Sequence, residues 1–337
     1  SAALKLLADS QGTGSVPTLI KALGSTDINY RTAALKYAQK YITPATTNLW
    51  LKALPNLKPD AQAEIIGMLG QAEAKSALPT ILKNLTNKES SVKLAAIKAA
   101  GKIGQESALG SLLGVLKKGS TDDLKAVKSA LLTMKGDKVV DQIAAAIPTI
   151  PANAQPTLIE VLAARAADSK IDVILGQLKN SEATVKTAAF TALKSVSAPK
   201  DISTLFGLLN TVTEPQEIQA VQEAITAAVK GTGDAAKQTE VLLSQISSVS
   251  ADKKPNYLRI LANIGTKKAL NAVASAYSGG DAATQKAAVN SLANWSDVSA
   301  TAELYKIGKS TSDAAYLDQA VSGYVRAVNV SKQTPTQ

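Results

Sequence analysis

The stretch that decides the fold is SSVKLAAIKAAGKIG, residues 90–104. Its apolar residues recur every three or four positions, which is the spacing of one face of an α-helix. That stripe consists of Val92, Ala95, Ala96, Ala99 and Ile103. Similar stripes return later as Val185, Ala188, Ala189, Ala192 and Val196, and as Ala287, Ala288, Ser291, Leu292 and Trp295. The pattern predicts one amphipathic helix that the chain uses repeatedly.

Another amphipathic helix precedes each of these segments, with a period of 31 residues. Its first position falls at Val16, Thr47, Leu78, Leu109, Val140, Ile171 and Ile202, and mostly apolar residues follow three, four and seven positions later. After a slip of six residues, the period resumes at Thr239, Leu270 and Thr301. Clusters of Asn, Asp, Ser and Gly separate the two helices of a unit and predict turns there. Ten such units predict stacked repeats and not a globular enzyme.

Three segments closely resemble the second helix of the HEAT repeat, namely residues 90–104, 27–35 and 182–190. The chain departs from short bacterial HEAT-like repeats in using Lys where they usually carry Arg. The resemblance implies an all-α fold, a right-handed α-α superhelix (α-solenoid) of about ten two-helix repeats. We expect a single array over residues 1–330, with an insertion near 210–235 that bends the array or makes one oversized helix. Residues 331–337 should form a polar tail or linker.

Composition excludes several classes of chemistry. The chain contains no Cys and no His, which removes disulfides, thiolate nucleophiles, Ser-His-Asp relays and metal sites built from imidazole or thiolate. No glycine-rich phosphate loop and no separated pair of catalytic carboxylates stands out. We therefore predict no catalytic, cofactor-binding or metal-binding residues. No apolar run approaches the ~20 residues that a membrane helix requires.

The charge is basic, with 37 Lys and Arg residues against 27 Asp and Glu residues and a formal net charge of +10. Only four of the cations are Arg, the residue whose planar fork suits phosphate and base edges. We interpret the excess of positive charge as surface lysines that keep the protein soluble. The alternative is a site that binds a polyanion. Scarce Arg and two widely separated Trp residues disfavour a nucleic-acid partner.

A recurring polar signal places an acid at the start of the second helix and a base four residues later. The pairs are Asp27 with Arg31, Glu89 with Lys93, and Glu182 with Lys186. The bases Arg31, Lys93 and Lys186 either form a structural ladder between repeats or bind an acidic partner.

Aromatic residues concentrate in the two terminal repeats. Tyr30, Tyr37 and Tyr41 share one face in the first repeat, and the last repeat carries Tyr305, Tyr316 and Tyr324. Because terminal repeats lack one neighbour, we expect these residues to cap the array or contact a flanking domain. The two Trp residues lie in register with apolar stripes, so we expect both in the core.

These features favour a non-catalytic protein-interaction or scaffolding module, which uses its second helices to bind a protein or peptide. We expect a monomer that forms part of a longer chain. Resemblance to extracytoplasmic HEAT arrays of Bacteroidetes-type bacteria implies the alternative, an accessory helical domain of a carbohydrate-active hydrolase. It also favours an extracytoplasmic location, in the periplasm or at the cell surface, over a cytoplasmic one. A nucleic-acid enzyme similar to HEAT-like DNA glycosylases is the third hypothesis.

Overall fold

The computed structural model describes residues 2–331, and every regular element in them is helical. Two compact units divide the chain, Ser1–Ala189 and Phe190–Gln337. The first contains α1 (Ala2–Gln11), α2 (Val16–Ala22), α3 (Ile28–Ala38), α4 (Pro44–Ala53), α5 (Pro59–Gln71), α6 (Leu78–Lys83), α7 (Ser90–Ile103), α8 (Gln105–Val115), α9 (Thr121–Thr133), α10 (Val139–Ala146), α11 (Gln155–Ala164) and α12 (Ile171–Gln177). The boundary falls within α13 (Ala183–Val196). The second unit continues with α14 (Ile202–Thr211), α15 (Pro215–Lys230), α16 (Ala235–Ser248), α17 (Pro255–Ile264), α18 (Lys267–Gly279), α19 (Ala282–Ala293), α20 (Thr301–Ser310) and α21 (Ala314–Ser331).

Each repeat is a pair of helices. The even-numbered helices α2 to α20 are the first members and the odd-numbered helices α3 to α21 are the second. Side chains three positions into the 31-residue pattern are all fully buried in the first seven repeats, namely Leu19, Trp50, Ile81, Leu112, Ile143, Ile174 and Leu205. These apolar positions form the core between paired helices. The predicted all-α repeat fold is confirmed.

Turn residues set where the second helices begin. The Asp27 carboxylate accepts hydrogen bonds from the backbone N–H groups of Asn29 and Tyr30, and so caps α3. In the third and sixth repeats the side-chain oxygens of Asn87 and Asn180 accept from the N–H groups two residues later, each at 2.9 Å. These contacts satisfy backbone groups that a helix start would leave unpaired.

Consecutive second helices pack closely through small residues. A Cβ on Gly101 of α7 would lie 2.6 Å from the Ala130 Cβ of α9, and one on Gly70 of α5 would lie 2.7 Å from the Ala99 Cβ of α7. The N-cap is the residue that immediately precedes a helix. Both glycines stand twelve residues after the N-cap of their helix. We call the side of a second helix that meets the next repeat its stacking face.

The two Trp side chains are buried, as expected. Near the predicted insertion, α15 has 16 residues, against 14 in α7 and α13. Ser331 ends α21, and residues 332–337 of the predicted tail lie outside the described residues.

Candidate partner-binding surfaces

The predicted ladder cations Arg31 and Lys93 join neighbouring repeats. The Arg31 Nε lies 3.6 Å from a Glu64 carboxylate oxygen on α5, and the Lys93 Nζ lies 2.7 Å from Asp123 Oδ2 on α9. The acids of these two pairs stand at the helix starts: the Asp27 side chain caps α3, and Glu89 is the N-cap residue of α7 without a capping hydrogen bond from its side chain. Lys186 is half-buried at the equivalent position of α13.

Further ion pairs also join successive repeats. Their partners are Lys128 with Glu160 at 2.6 Å, Lys170 with Asp141 at 2.6 Å, and Lys194 with Glu223 at 3.3 Å. At least one member of each pair is substantially exposed, so each contributes little free energy on its own. Their common effect is to fix how one repeat lies against the next.

The Lys93–Asp123 pair differs because the Asp123 side chain is only 1% exposed. Asp123 stands three residues after its N-cap, where α7 and α13 carry the buried Val92 and Val185. Burial alone would raise the pKa of Asp123, but the Lys93 ammonium and the Ser120 backbone N–H and hydroxyl outweigh it and lower that pKa. Asp123 therefore stays ionised and forms an ion pair with Lys93 that joins the two repeats.

Tyr30, Tyr37 and Tyr41 are all half-buried. Tyr30 and Tyr37 stand three and ten residues after the N-cap of α3, as Val92 and Ala99 do in α7. That side of a second helix meets the preceding second helix, which for α3 is α1.

Most of the exposed large apolar residues of the second unit lie on its last described helix pair. Five side chains form what we call the terminal face: Tyr305 on α20, and Leu317, Val321, Tyr324 and Val325 on α21. Their exposed fractions lie between 39% and 54%. Isolated exposed apolar residues are ordinary, whereas a contiguous group marks an interaction surface.

The geometry of the terminal face follows from its position in the repeat. Gly323 on α21 lies against Ala293 on α19, as Ala99 lies against Gly70. Asp313 caps α21 through the N–H groups of Ala315 and Tyr316. Counted from that cap, Val321 and Val325 correspond to Ile97 and Gly101 of α7, which α9 covers. The terminal face is thus the stacking face of α21, and no helix of residues 2–331 lies over it.

A groove of about 240 Å³ opens between α20 and α21 on this face. Its lining is mostly apolar and includes Leu304, Gly308 and Ala320 besides residues of the terminal face. The rings of Tyr305 and Tyr324 lie 6.5 Å apart, and the Lys309 ammonium lies 4.7 Å from the Tyr305 ring centre. Aromatic side chains with a polar end suit a surface that alternates between water and a partner.

Residues 2–331 contain no group of three or more acidic side chains placed to hold a metal ion. None of the helices over the same residues is both long and apolar enough to span a membrane.

Comparison with known proteins places the fold. Residues 47–132 match the family model described as HEAT repeats. The chain has the fold of a HEAT-repeat α-solenoid. The sequence resemblance stated above is thereby confirmed. The chain matches no curated protein sequence.

Solved structures of the karyopherin Kap121p are similar over 96% of this chain. In its complex with Ste12p the TM-score is 0.60 at 16% identity, over 42% of the karyopherin chain. In the complex with Nup53p the TM-score is 0.59 at 17% identity, again over 42%. The complex with the extreme C-terminus of the protein phosphatase Cdc14p gives 0.59 at 17%, over 43%. This chain therefore spans less than half of Kap121p, and identities this low show a shared fold alone.

Sequence reasoning missed most of the terminal face. Tyr305 and Tyr324 were singled out as terminal tyrosines, but Leu317, Val321 and Val325 were not. Their spacing of four residues was visible as a helical stripe. The signal that would have found them is position, because α21 carries a full apolar stacking face and no later helix among residues 2–331 buries it.

Proposed function

We propose that this chain is a non-catalytic protein-interaction module whose partner binds the terminal face. The observation that carries the proposal is that Val321 and Val325 are half-exposed where the corresponding residues of α7 are buried by the next repeat. Burying apolar area of this kind is the main driving force for association. The aromatic pair beside it supplies the residue type that is enriched where partners bind most tightly.

The proposed partner segment is an amphipathic helix laid against α21. Three inner second helices, α5, α7 and α19, place Gly or Ala at the point of closest approach, as Gly70, Gly101 and Ala293 do. In α21 that position is Val325, with Tyr324 beside it, so the partner helix must lie farther away than α9 lies from α7. The Kap121p complexes with Ste12p and Nup53p support the proposal in that a protein of this fold binds other proteins.

Site-specific photo-crosslinking in the native host tests this function. A photoreactive amino acid replaces Val321 in one variant and Asn290, an exposed polar residue of α19, in the control. We expect a discrete protein adduct from position 321 that is lost when Val325→Lys is added. Equal labelling from both positions, or no adduct from position 321, would contradict the proposal.

The partner of the terminal face could be encoded by another gene or by the same one. An adjoining carbohydrate-active domain and an extracytoplasmic location stay predictions. The gene sequence on either side of residues 1–337 tests both, because it would reveal a hydrolase domain and a signal peptide directly.

A further inference from the structure

Four lysines of the first unit occupy two corresponding positions in their repeats and have no anionic partner among the described residues. Lys36 and Lys40 stand nine and thirteen residues after the N-cap of α3, and Lys98 and Lys102 stand nine and thirteen residues after that of α7. All four are exposed. No carboxylate within residues 2–331 lies within ion-pair distance of any of them. They differ in this from Arg31 and Lys93 on the same helices.

Helix α5 lies between these two lysine pairs and leaves room above itself. The residues of α5 nine and thirteen positions after its N-cap are Gly67 and Gln71. A Cβ on Gly67 would meet no atom within 4 Å. We call the surface formed by Lys36, Lys40, Gly67, Lys98 and Lys102 the lysine trough.

The three helices of the trough are held side by side. Arg31 joins α3 to α5 through Glu64, and the Gln39 amide donates to the Gln71 side-chain oxygen at 3.0 Å. The close approach of Gly70 to Ala99 joins α5 to α7. With about 8–10 Å between neighbouring helix axes, the lysine rows stand roughly 16–20 Å apart. That width admits one α-helix, whose diameter with side chains is about 10–12 Å.

Repulsion within each lysine pair should destabilise the segment that carries it. Like charges four residues apart repel on a helix surface. Lys98 and Lys102 have that spacing on α7, and Lys36 has it with Lys40, which lies in the short 3-10 helix after α3. The acids of α5 do not relieve them, because Glu64 pairs with Arg31 and Asp60 lies in the first turn, at the far end of the helix. Glu73 stands two residues beyond α5, and Glu106 stands four residues after Lys102.

The surrounding sequence has the same sign. Residues 1–105 contain thirteen of the 37 Lys and Arg residues but only six of the 27 Asp and Glu residues, a formal charge of +7. A field of this kind attracts anionic partners and speeds their association.

We infer that the lysine trough binds an acidic α-helical segment of a partner protein. This inference rests on the proposed interaction function and adds to it a second surface with its own chemistry. Carboxylates spaced one turn apart on both sides of a guest helix would face the two lysine pairs, while its body lies over Gly67. Lysine, without arginine, favours carboxylates over a nucleic acid, because phosphate and base recognition draws on the guanidinium fork.

Fluorescence anisotropy with a synthetic peptide tests the trough. The probe is a fluorescein-labelled, alanine-rich peptide of about 16 residues that carries Glu pairs four residues apart on two sides. The control peptide has Gln at each Glu. We expect the full chain to bind the Glu peptide at low salt and not the Gln peptide. The Kd should rise at least tenfold in the Lys98→Gln, Lys102→Gln double variant and in Gly67→Leu, which fills the floor.

A charge-matched control uses Lys52→Gln with Lys83→Gln, which removes two exposed lysines from first helices of the same repeats. Its Kd should stay within about twofold of the unmodified chain, since charge alone is screened and non-directional. Equal weakening by the two double variants would overturn the trough in favour of diffuse attraction. Circular dichroism must show unchanged helix content in Gly67→Leu for its result to count as support.

A single-stranded DNA oligomer of the same net charge is the competing probe. Tighter binding of the oligomer than of the Glu peptide, with loss in the Lys98 and Lys102 variant, would overturn the protein partner. Absence of peptide binding at low salt would overturn the trough altogether. If position 321 gives no crosslink while the Glu peptide binds as expected, the terminal-face proposal fails and the lysine trough is supported. If position 321 gives the crosslink while the Glu peptide does not bind, only the lysine trough is overturned.

Discussion

Helices α7 and α21 have corresponding stacking faces, but the face of α7 is buried and the face of α21 is exposed. In α7, Ile97, Ala100 and Gly101 are buried under α9, and Lys93 is tied to Asp123. In α21 the corresponding residues are Val321, Tyr324 and Val325, with Leu317 at the position of Lys93. All four are between 39% and 52% exposed.

The comparison shows that the helical period determines which side of a helix is apolar, whereas the neighbour determines whether that side is core or surface. Both helices satisfy the same apolar pattern. What differs is chemistry at two positions. Where a repeat follows, the chain uses Gly101 for close approach and Lys93 for an ion pair. In α21, which no repeat follows among the described residues, it uses Val325 and Leu317, which suit an apolar contact at a greater distance.

The most disruptive change replaces Ile97 by Ala. Ile97 is fully buried, so we expect loss of about 2–5 kcal/mol from the removed contacts and the cavity they leave. Val321→Ala at the corresponding position of α21 should change stability by less than about 0.5 kcal/mol, because that side chain is already half in water. Amide hydrogen exchange of α7 and α21 measures both effects, and equal losses would mean that the terminal face is buried in solution.

Two glycine substitutions on neighbouring helices should shift stability in opposite directions. Gly101→Ala places a methyl group against Ala130 and should cost about 1–3 kcal/mol through overpacking. Gly67→Ala adds the same methyl group in open space and should gain about 0.5–1 kcal/mol of helix stability. Urea denaturation of both variants checks the signs, and a neutral Gly101→Ala would show that α7 and α9 can move apart freely.

Sequence reasoning recovered the repeat, the buried stripe and the helix caps because these are local patterns with a strict period. It placed Arg31 and Lys93 on the right helices, but it could not identify Glu64 and Asp123 as their partners. Those contacts join residues about one repeat apart, and the angle between repeats depends on packing that no single helix encodes. The lysine trough could not be predicted for the same reason, because Gly67 forms its floor only when α5 lies between α3 and α7.

The Lys93–Asp123 ion pair gives a smaller expected loss than Ile97→Ala or Gly101→Ala, and its contribution depends on pH. Asp123→Asn should cost about 1–2 kcal/mol near neutral pH, less than a fully buried pair would, because Lys93 remains a quarter exposed. Since folding lowers the pKa of Asp123, its contribution is complete above the usual carboxyl value of about 4 and disappears as the pH falls through the lower folded value. The stability difference between the unmodified chain and Asp123→Asn should therefore shrink as the pH falls below the usual carboxyl value of about 4. Asp122→Asn is the matched control, because the Asp122 side chain is 74% exposed and its carboxylate lies 3.9 Å from the Lys125 ammonium on the same helix. This substitution should change the stability by less than about 0.5 kcal/mol at any pH. A difference for Asp123→Asn that stays constant through the acid range, in urea titrations at each pH, would show that its charge is not what ties α9 to α7.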